Sequence, residues 1–262
     1  MKNRLASLAV LAALMASAVA NDSPRLPTLF IVGDSTVKNG TKDQQGWGDP
    51  IAAFFDKARI KVENHAIGGR SSRTFQTEGR WDKILDAARP GDFVLIQMGH
   101  NDGGPLDDSR RARGTLKGTG DETREIDNPL TGKKEVVRTY GWYLRKYIAD
   151  ARAKGAMPIV CTLIPRNLWD GERVARPKNS HADWAREVAK AEGVPLVDLH
   201  EAIAQRYDQM GKPAVDPLFA DERVHTTAAG AELNAACVIS ALQALPEDPL
   251  AAFLRPRPAA TW

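Results

Sequence analysis

The stretch DFVLIQMGHNDGG (92–104) begins as an almost unbroken apolar run and ends abruptly in glycine, asparagine and aspartate. A short run of this kind, without polar alternation, is the pattern of a strand buried on both faces, and such strands belong to parallel sheets. Four more runs share its character: TLFIVG (28–33), KVENHA (61–66), MPIVCTLI (157–164) and VPLVDL (194–199). Amphipathic, helix-period stretches separate or follow them at 47–58, 79–88, 140–154, 180–193 and 227–245. Strand alternating with helix predicts an α/β chain: a five-stranded parallel sheet covered on both faces, with right-handed crossovers.

Outward from this frame, residues 1–20 (MKNRLASLAVLAALMASAVA) carry Lys2 and Arg4, an apolar run and the small-residue ending Ala18-Val19-Ala20. That is the layout of a signal peptide cleaved after Ala20, which predicts a secreted or periplasmic protein whose residues 21–262 form one domain. The run is shorter than the ~20 residues of a spanning helix, so no membrane role is expected. Removing Lys2 and Arg4 from the formal net charge of +3 leaves +1, no electrostatic footprint for nucleic acid. Cys161 and Cys237 sit in apolar contexts and read as two buried thiols, with a disulfide between them left open by the oxidising compartment a signal peptide implies. The long polar stretch 100–139 interrupts the alternation and reads as a functional or mobile loop. The proline-rich end, 246–262, reads as a tail lying on the surface or loose.

In an open parallel sheet, ligands bind beyond the carboxyl ends of the strands. Gly33-Asp34-Ser35-Thr36 follows the first strand, Ala66-Ile67-Gly68-Gly69-Arg70 the second, and Gly99-His100-Asn101-Asp102 the third, while Asp221-Glu222-Arg223-Val224-His225 precedes the last helix. Singly, each could be a cap or a turn. Together they supply what acyl transfer needs: a hydroxyl nucleophile, an imidazole base, a carboxylate to orient that base, and backbone and amide donors for a developing oxyanion. There is no G-x-S-x-G elbow, no metal-ligand spacing and no nucleotide-binding glycine loop, so neither metal nor cofactor is expected.

The blocks GDSTV, AIGGRSSRTF, MGHNDGG and VHTTAAGAELNA resemble those of the GDSL, or SGNH, hydrolases, and within them are most similar to rhamnogalacturonan acetylesterases. The resemblance runs from about residue 28 to 245. It implies a flavodoxin-like three-layer α/β/α sandwich and removal of acetyl groups from pectin. By matching position, it makes Ser35 the nucleophile with its own N–H in the oxyanion hole, Gly69 and Asn101 the other two donors, and His225 the base. The acid of the triad departs from the family pattern, which has Asp three residues before the His. Here Glu222 stands at three and Asp221 at four, and position favours Glu222.

An acidic polysaccharide partner suits arginines beside the site, since a guanidinium grips a carboxylate with two bonds. Arg70 and Arg73 are the first candidates, with Arg110, Arg111, Arg113 and Lys117 in the loop after Asn101. Trp47 and Trp81 read as core packing rather than sugar platforms. The competing functions are a lipid esterase or thioesterase, and a catalytically silent carbohydrate-binding protein.

Overall fold

The structure, a computed structural model, describes residues 25–256, so the leader and its cleavage point lie outside the described residues. In chain order the strands are β1 (Thr28–Val32), β2 (Lys61–Asn64), β3 (Phe93–Gln97), β4 (Thr123–Asn128), β5 (Lys133–Arg138), β6 (Met157–Cys161), β7 (Trp169–Asp170), β8 (Arg173–Val174) and β9 (Leu196–Val197). The helices are α1 (Ser72–Thr77), α2 (Arg80–Ala87), α3 (Tyr140–Ala153), α4 (His181–Glu192), α5 (Leu199–Met210), α6 (Lys212–Val215) and α7 (Ala228–Gln243). Five strands form one parallel sheet in the order β2-β1-β3-β6-β9.

Successive strand residues point to opposite faces, and this alternation builds two cores. Leu29, Ile31, Leu95, Ile159 and Val197 pack toward α5 and α7, whereas Phe30, Val32, Val94, Ile96 and Val160 pack toward α1 to α4. The result is three layers, α/β/α. Burial of each such aliphatic or aromatic side chain contributes about 1.5–3 kcal/mol, so the sheet is the rigid base for whatever its edges carry. Because β1 leads outward to β2 and the chain then crosses back to β3, the strand order reverses between β1 and β3. Ligands collect at the carboxyl ends of such a switch point. Ser35 leaves β1 there, and His100 and Asn101 leave β3.

Three regions differ from the sequence reading. The helix-period stretch 47–58 forms only a 3₁₀ turn, Pro50–Phe54. Here the N–H groups of Trp47 and Gly48 donate to the carbonyls of Thr36 and Val37 instead of to a helix, and Gly46 lies so close to Val37 that a Cβ would stand 2.2 Å from its carbonyl carbon. Phe55 then bridges to Leu254. The interruption at 100–139 is not all loop: β4 and β5 pair antiparallel across it. The C-terminal stretch is anchored as far as it is described, with Leu250 fully buried and the Phe253 ring 5.6 Å from that of Phe93. Trp47 and Trp81 are buried, their indole N–H groups donating to Gln97 and Asp150. Both cysteines are free, Cys161 buried and Cys237 half-buried.

Candidate active site

The turn that presents Ser35 is fixed from inside. Asp34 is fully buried; its carboxylate accepts from the Thr36 N–H (2.9 Å) and hydroxyl (2.7 Å), and its carbonyl accepts from the N–H groups of Val37 and Lys38. Burial raises the Asp34 carboxyl above its usual range, against the lowering by its Thr36 bonds. Thr36 is held in turn by the Gln97 amide at 2.9 Å. Ser35 is thus left at the top of β1 with its hydroxyl 2.9 Å from Nε2 of His225.

On the other side of the imidazole, Nδ1 lies 2.5 Å from Oδ2 of Asp221. The opposite oxygen of Asp221 accepts the backbone N–H groups of Arg223 (3.0 Å), Val224 (2.6 Å) and His225 (2.9 Å). Partial burial pushes this carboxyl up, but those three bonds and His225 outweigh it and bring it down to about 2. Asp221 is therefore an anion throughout the range in which an imidazole titrates. Glu222, favoured on spacing, is exposed and makes no hydrogen bond among the described residues. Family position favours the acid three residues before the His, but 221–225 is a tight non-helical bend wrapped around the short Asp221 side chain, and it is the residue at four that reaches Nδ1. With Nδ1–H directed at Asp221, Nε2 is the nitrogen free to accept the Ser35 proton.

The donors stand across from this line. Gly69 has φ +78°, a left-handed conformation that favours glycine. Neither its N–H nor that of Ser35 has a hydrogen-bond partner among the described residues. The Asn101 amide spends one hydrogen on the Arg70 carbonyl at 2.9 Å and keeps the other. Arg113 Nη1 holds the Gly69 carbonyl at 3.1 Å, and the Ile67 N–H is tied to Gly33 at 3.0 Å. The segment is therefore pinned from several sides. Ser35, Gly69, Asn101 and His225 all border one cavity of ≈ 720 Å³.

Arg70, Arg110, Arg111, Arg113 and Arg166 give this cavity its charge. Arg70 donates to Glu78 at 2.9 Å and is partly neutralised. Burial lowers the basicity of Arg113 and Arg166, and the guanidinium of Arg166 has no partner among the described residues. Arg73 and Lys117 do not border the cavity. Arg73 is fully buried, where it forks onto Glu135 at 2.6 and 2.7 Å and donates to the carbonyls of Leu106 and Gly114. Its partner Glu135 lies in β5, which sequence reasoning did not detect. Arg166 was also missed, although it follows β6 at the same sheet edge, where the carboxyl-end rule points.

A hydroxyl, an imidazole and a carboxylate hydrogen-bonded in line, opposite unpaired N–H donors at the carboxyl edge of a parallel sheet, have the composition of a carboxylic ester hydrolase site, and that is the class to which its family and relatives assign the chain. The chain belongs to the GDSL-like lipase/acylhydrolase family, which it matches over residues 31–233. It is 33% identical over 215 residues to a rhamnogalacturonan acetylesterase of Emericella nidulans, covering 82% of this chain and 84% of the relative. It is 31% identical over 224 residues to a probable rhamnogalacturonan acetylesterase of Bacillus subtilis, YesY, covering 83% and 93%. Among solved structures, a Bacillus subtilis protein, YxiM, superposes with a TM-score of 0.67 at 24% identity over 84% of this chain and 56% of that one. The acetylxylan esterase Axe2 of Geobacillus stearothermophilus superposes with a TM-score of 0.55 at 16% identity over 82% and 93%, a likeness of fold.

Proposed function

We propose that this chain hydrolyses O-acetyl esters on an acidic cell-wall polysaccharide of the rhamnogalacturonan type, through an acetyl-Ser35 intermediate. The observation that carries the reading is the Ser35–His225–Asp221 line opening into an arginine-rich cavity. Two relatives at 31–33% identity bear names that join acetylesterase activity to an acidic pectic substrate. A lipid esterase would need a broad apolar cleft, and arginines border this one. Export by the 1–20 leader would bring the enzyme to such a polymer.

In this mechanism His225 Nε2 takes the Ser35 proton as Oγ attacks the acetyl carbonyl. Asp221 holds the tautomer and stabilises the imidazolium. The oxyanion is met by the N–H groups of Ser35 and Gly69 and the spare hydrogen of Asn101. His225 then gives that proton to the departing sugar oxygen, which leaves as a hydroxyl, and takes a proton from the water that attacks the acetyl-Ser35 carbonyl, returning it to Ser35 Oγ as acetate is released. Arg113 and Arg166, half-buried beside the reacting centre, meet uronate carboxylates. Acetate release from acetylated rhamnogalacturonan, acetylated xylan and p-nitrophenyl acetate tests the reading. Turnover should be fastest on the acidic polymer and fall by several orders of magnitude in Ser35→Ala. Turnover that survives in Ser35→Ala removes the mechanism, and a preference for xylan removes the substrate.

A further inference from the structure

A second cavity, of ≈ 450 Å³, adjoins the first, and His100 and Arg166 belong to the walls of both. Its chemistry is different. Leu163, Ile164, Leu168 and Ala175 give it an apolar wall, and Leu168 is 42% exposed although it is a large apolar side chain. Its polar groups are the imidazoles of His100, His181 and His200 and the Ser180 side chain, with the exposed Asp170, Arg166 and Arg176 as the charged members of the wall. Both ring nitrogens of His100 are shut off from solvent and unpartnered among the described residues; the ring faces the Ile164 carbonyl without reaching hydrogen-bond geometry. Burial, with Arg166 nearby, brings the His100 imidazole down to about 3, so it is neutral. His200 Nδ1 is likewise buried and unpartnered, and burial lowers the basicity of that ring. Arg176 also borders the cavity, but Glu201, Asp208 and the Val174 carbonyl occupy it. Beyond Arg166, which marks the junction, no guanidinium in this wall is free.

Buried imidazoles without partners are costly to hold, and ligand hydroxyls would satisfy them. An apolar wall with a few convergent neutral hydrogen-bonding groups matches a sugar ring, whose C–H face is apolar and whose rim is hydroxyls. We propose that this cavity is a subsite for an uncharged sugar unit joined to the acetylated one. In it the ring lies against Leu163 and Leu168, and its hydroxyls meet His100 and His200. The proposal rests on the reading of the substrate as a glycan. It divides recognition of one chain between two cavities: arginines for the charged unit at Ser35, neutral imidazoles and apolar contact for its neighbour.

The test compares kcat/KM for an acetylated monosaccharide with that for acetylated oligosaccharides carrying a neutral neighbouring unit. It uses the wild type, Ala175→Trp, which fills the cavity, and Leu168→Asn, which removes its exposed apolar rim. Binding energy from a remote unit is spent on the reacting centre, so the wild-type ratio of oligosaccharide to monosaccharide should be at least about 10. Both variants should bring that ratio close to one while keeping a cooperative melt. If Ala175→Trp fails to fold, the exposed Leu168→Asn decides. A wild-type ratio near one, or a ratio unchanged in the variants, overturns the subsite and leaves a glycan esterase. Failure to deacetylate any saccharide, with p-nitrophenyl acetate still cleaved, overturns the glycan reading and the subsite with it.

Discussion

The catalytic line and the wall that faces it are held in different ways. Ser35, Asp221 and His225 sit in short loops that leave β1 or enter α7, and each is fixed by backbone groups only a few residues away. The wall is built from 104–138, where the loop bearing Arg110, Arg111 and Arg113 and the hairpin β4–β5 meet on the buried guanidinium of Arg73, 62 residues from its partner Glu135. Local order protects the chemistry, while long-range contacts, among them the Arg73 fork on Glu135 and the Arg113 bond to the Gly69 carbonyl, shape the recognition surface. Mutations should therefore separate the two: changes in the catalytic line abolish turnover in a stable protein, and changes at Arg73 loosen the protein and the cavity together.

The sharpest separation is at the triad acid. Asp221→Asn keeps the size of the side chain but removes the charge and disturbs the tautomer of His225. It should lower kcat by about 10²–10⁴ on every substrate, including p-nitrophenyl acetate. Glu222→Gln should remain near wild type, since Glu222 is exposed and unbonded. Steady-state kinetics on the pair decides the matter, and the reverse pattern would return the role to Glu222.

A smaller and different effect is expected at the wall. Arg73→Met leaves Glu135 partly buried without its cation and strips the Leu106 and Gly114 carbonyls of a donor. Breaking a buried pair from one side costs about 3–5 kcal/mol, measurable by denaturant unfolding. The cavity loop loses its anchor as well, so KM for the acidic polymer should rise more than KM for p-nitrophenyl acetate. Arg73→Lys, which keeps the charge but not the fork, should recover part of the stability. If the Met variant unfolds like wild type, the clamp is not what holds the wall.

The same contrast explains what could be read in advance. The central strands β1, β3 and β6 were legible because a doubly buried strand is a dense local signal, whereas the outer β2 and β9 are half-buried or short and were legible chiefly from the strand–helix alternation around them. The residues brought to the sheet edge were legible because, in an open parallel sheet, ligands collect beyond the carboxyl ends of the strands, whatever the strand order. The hairpin was not, since TREIDN and KKEVVR are mostly exposed and charged, and it is stapled from outside by Arg73. Arg73 itself was misread as a sugar contact because proximity to Gly69 in sequence says nothing about which way a side chain turns. Asp221 ranks second in the sequence because the family pattern puts the acid three residues before the His, while this bend, shaped by the Asp221 side chain itself, presents the residue at four. His100 lay within a quoted block yet received no role, and only the cavity on each side of its ring supplies one.

The smallest expected effect concerns Asp102, which joins the two regions. It follows Asn101 in the loop after β3, is fully buried, and accepts the Ser72 hydroxyl at 2.5 Å and the Ser72 N–H at 3.1 Å, tying the start of α1 to that loop. Burial, with Asp34 adding repulsion, raises its carboxyl from 3.8 to about 7, against the lowering by the Ser72 bonds. The folded chain therefore keeps a proton that the unfolded chain loses first. The stability linked to that proton is complete below about 4 and is lost as pH rises through about 7. Asp102→Asn retains an oxygen for Ser72 and has nothing to ionise. The melting temperature of the wild type relative to Asp102→Asn should consequently fall by a few degrees between pH 5 and pH 8, in a chain of this size where roughly 2–4 °C corresponds to 1 kcal/mol. A gap that stays constant across that range would mean that Asp102 is already ionised at pH 5. The tie between α1 and the Asn101 loop would then be a charge-assisted bond, and the residue would strengthen the catalytic edge at alkaline pH rather than weaken it.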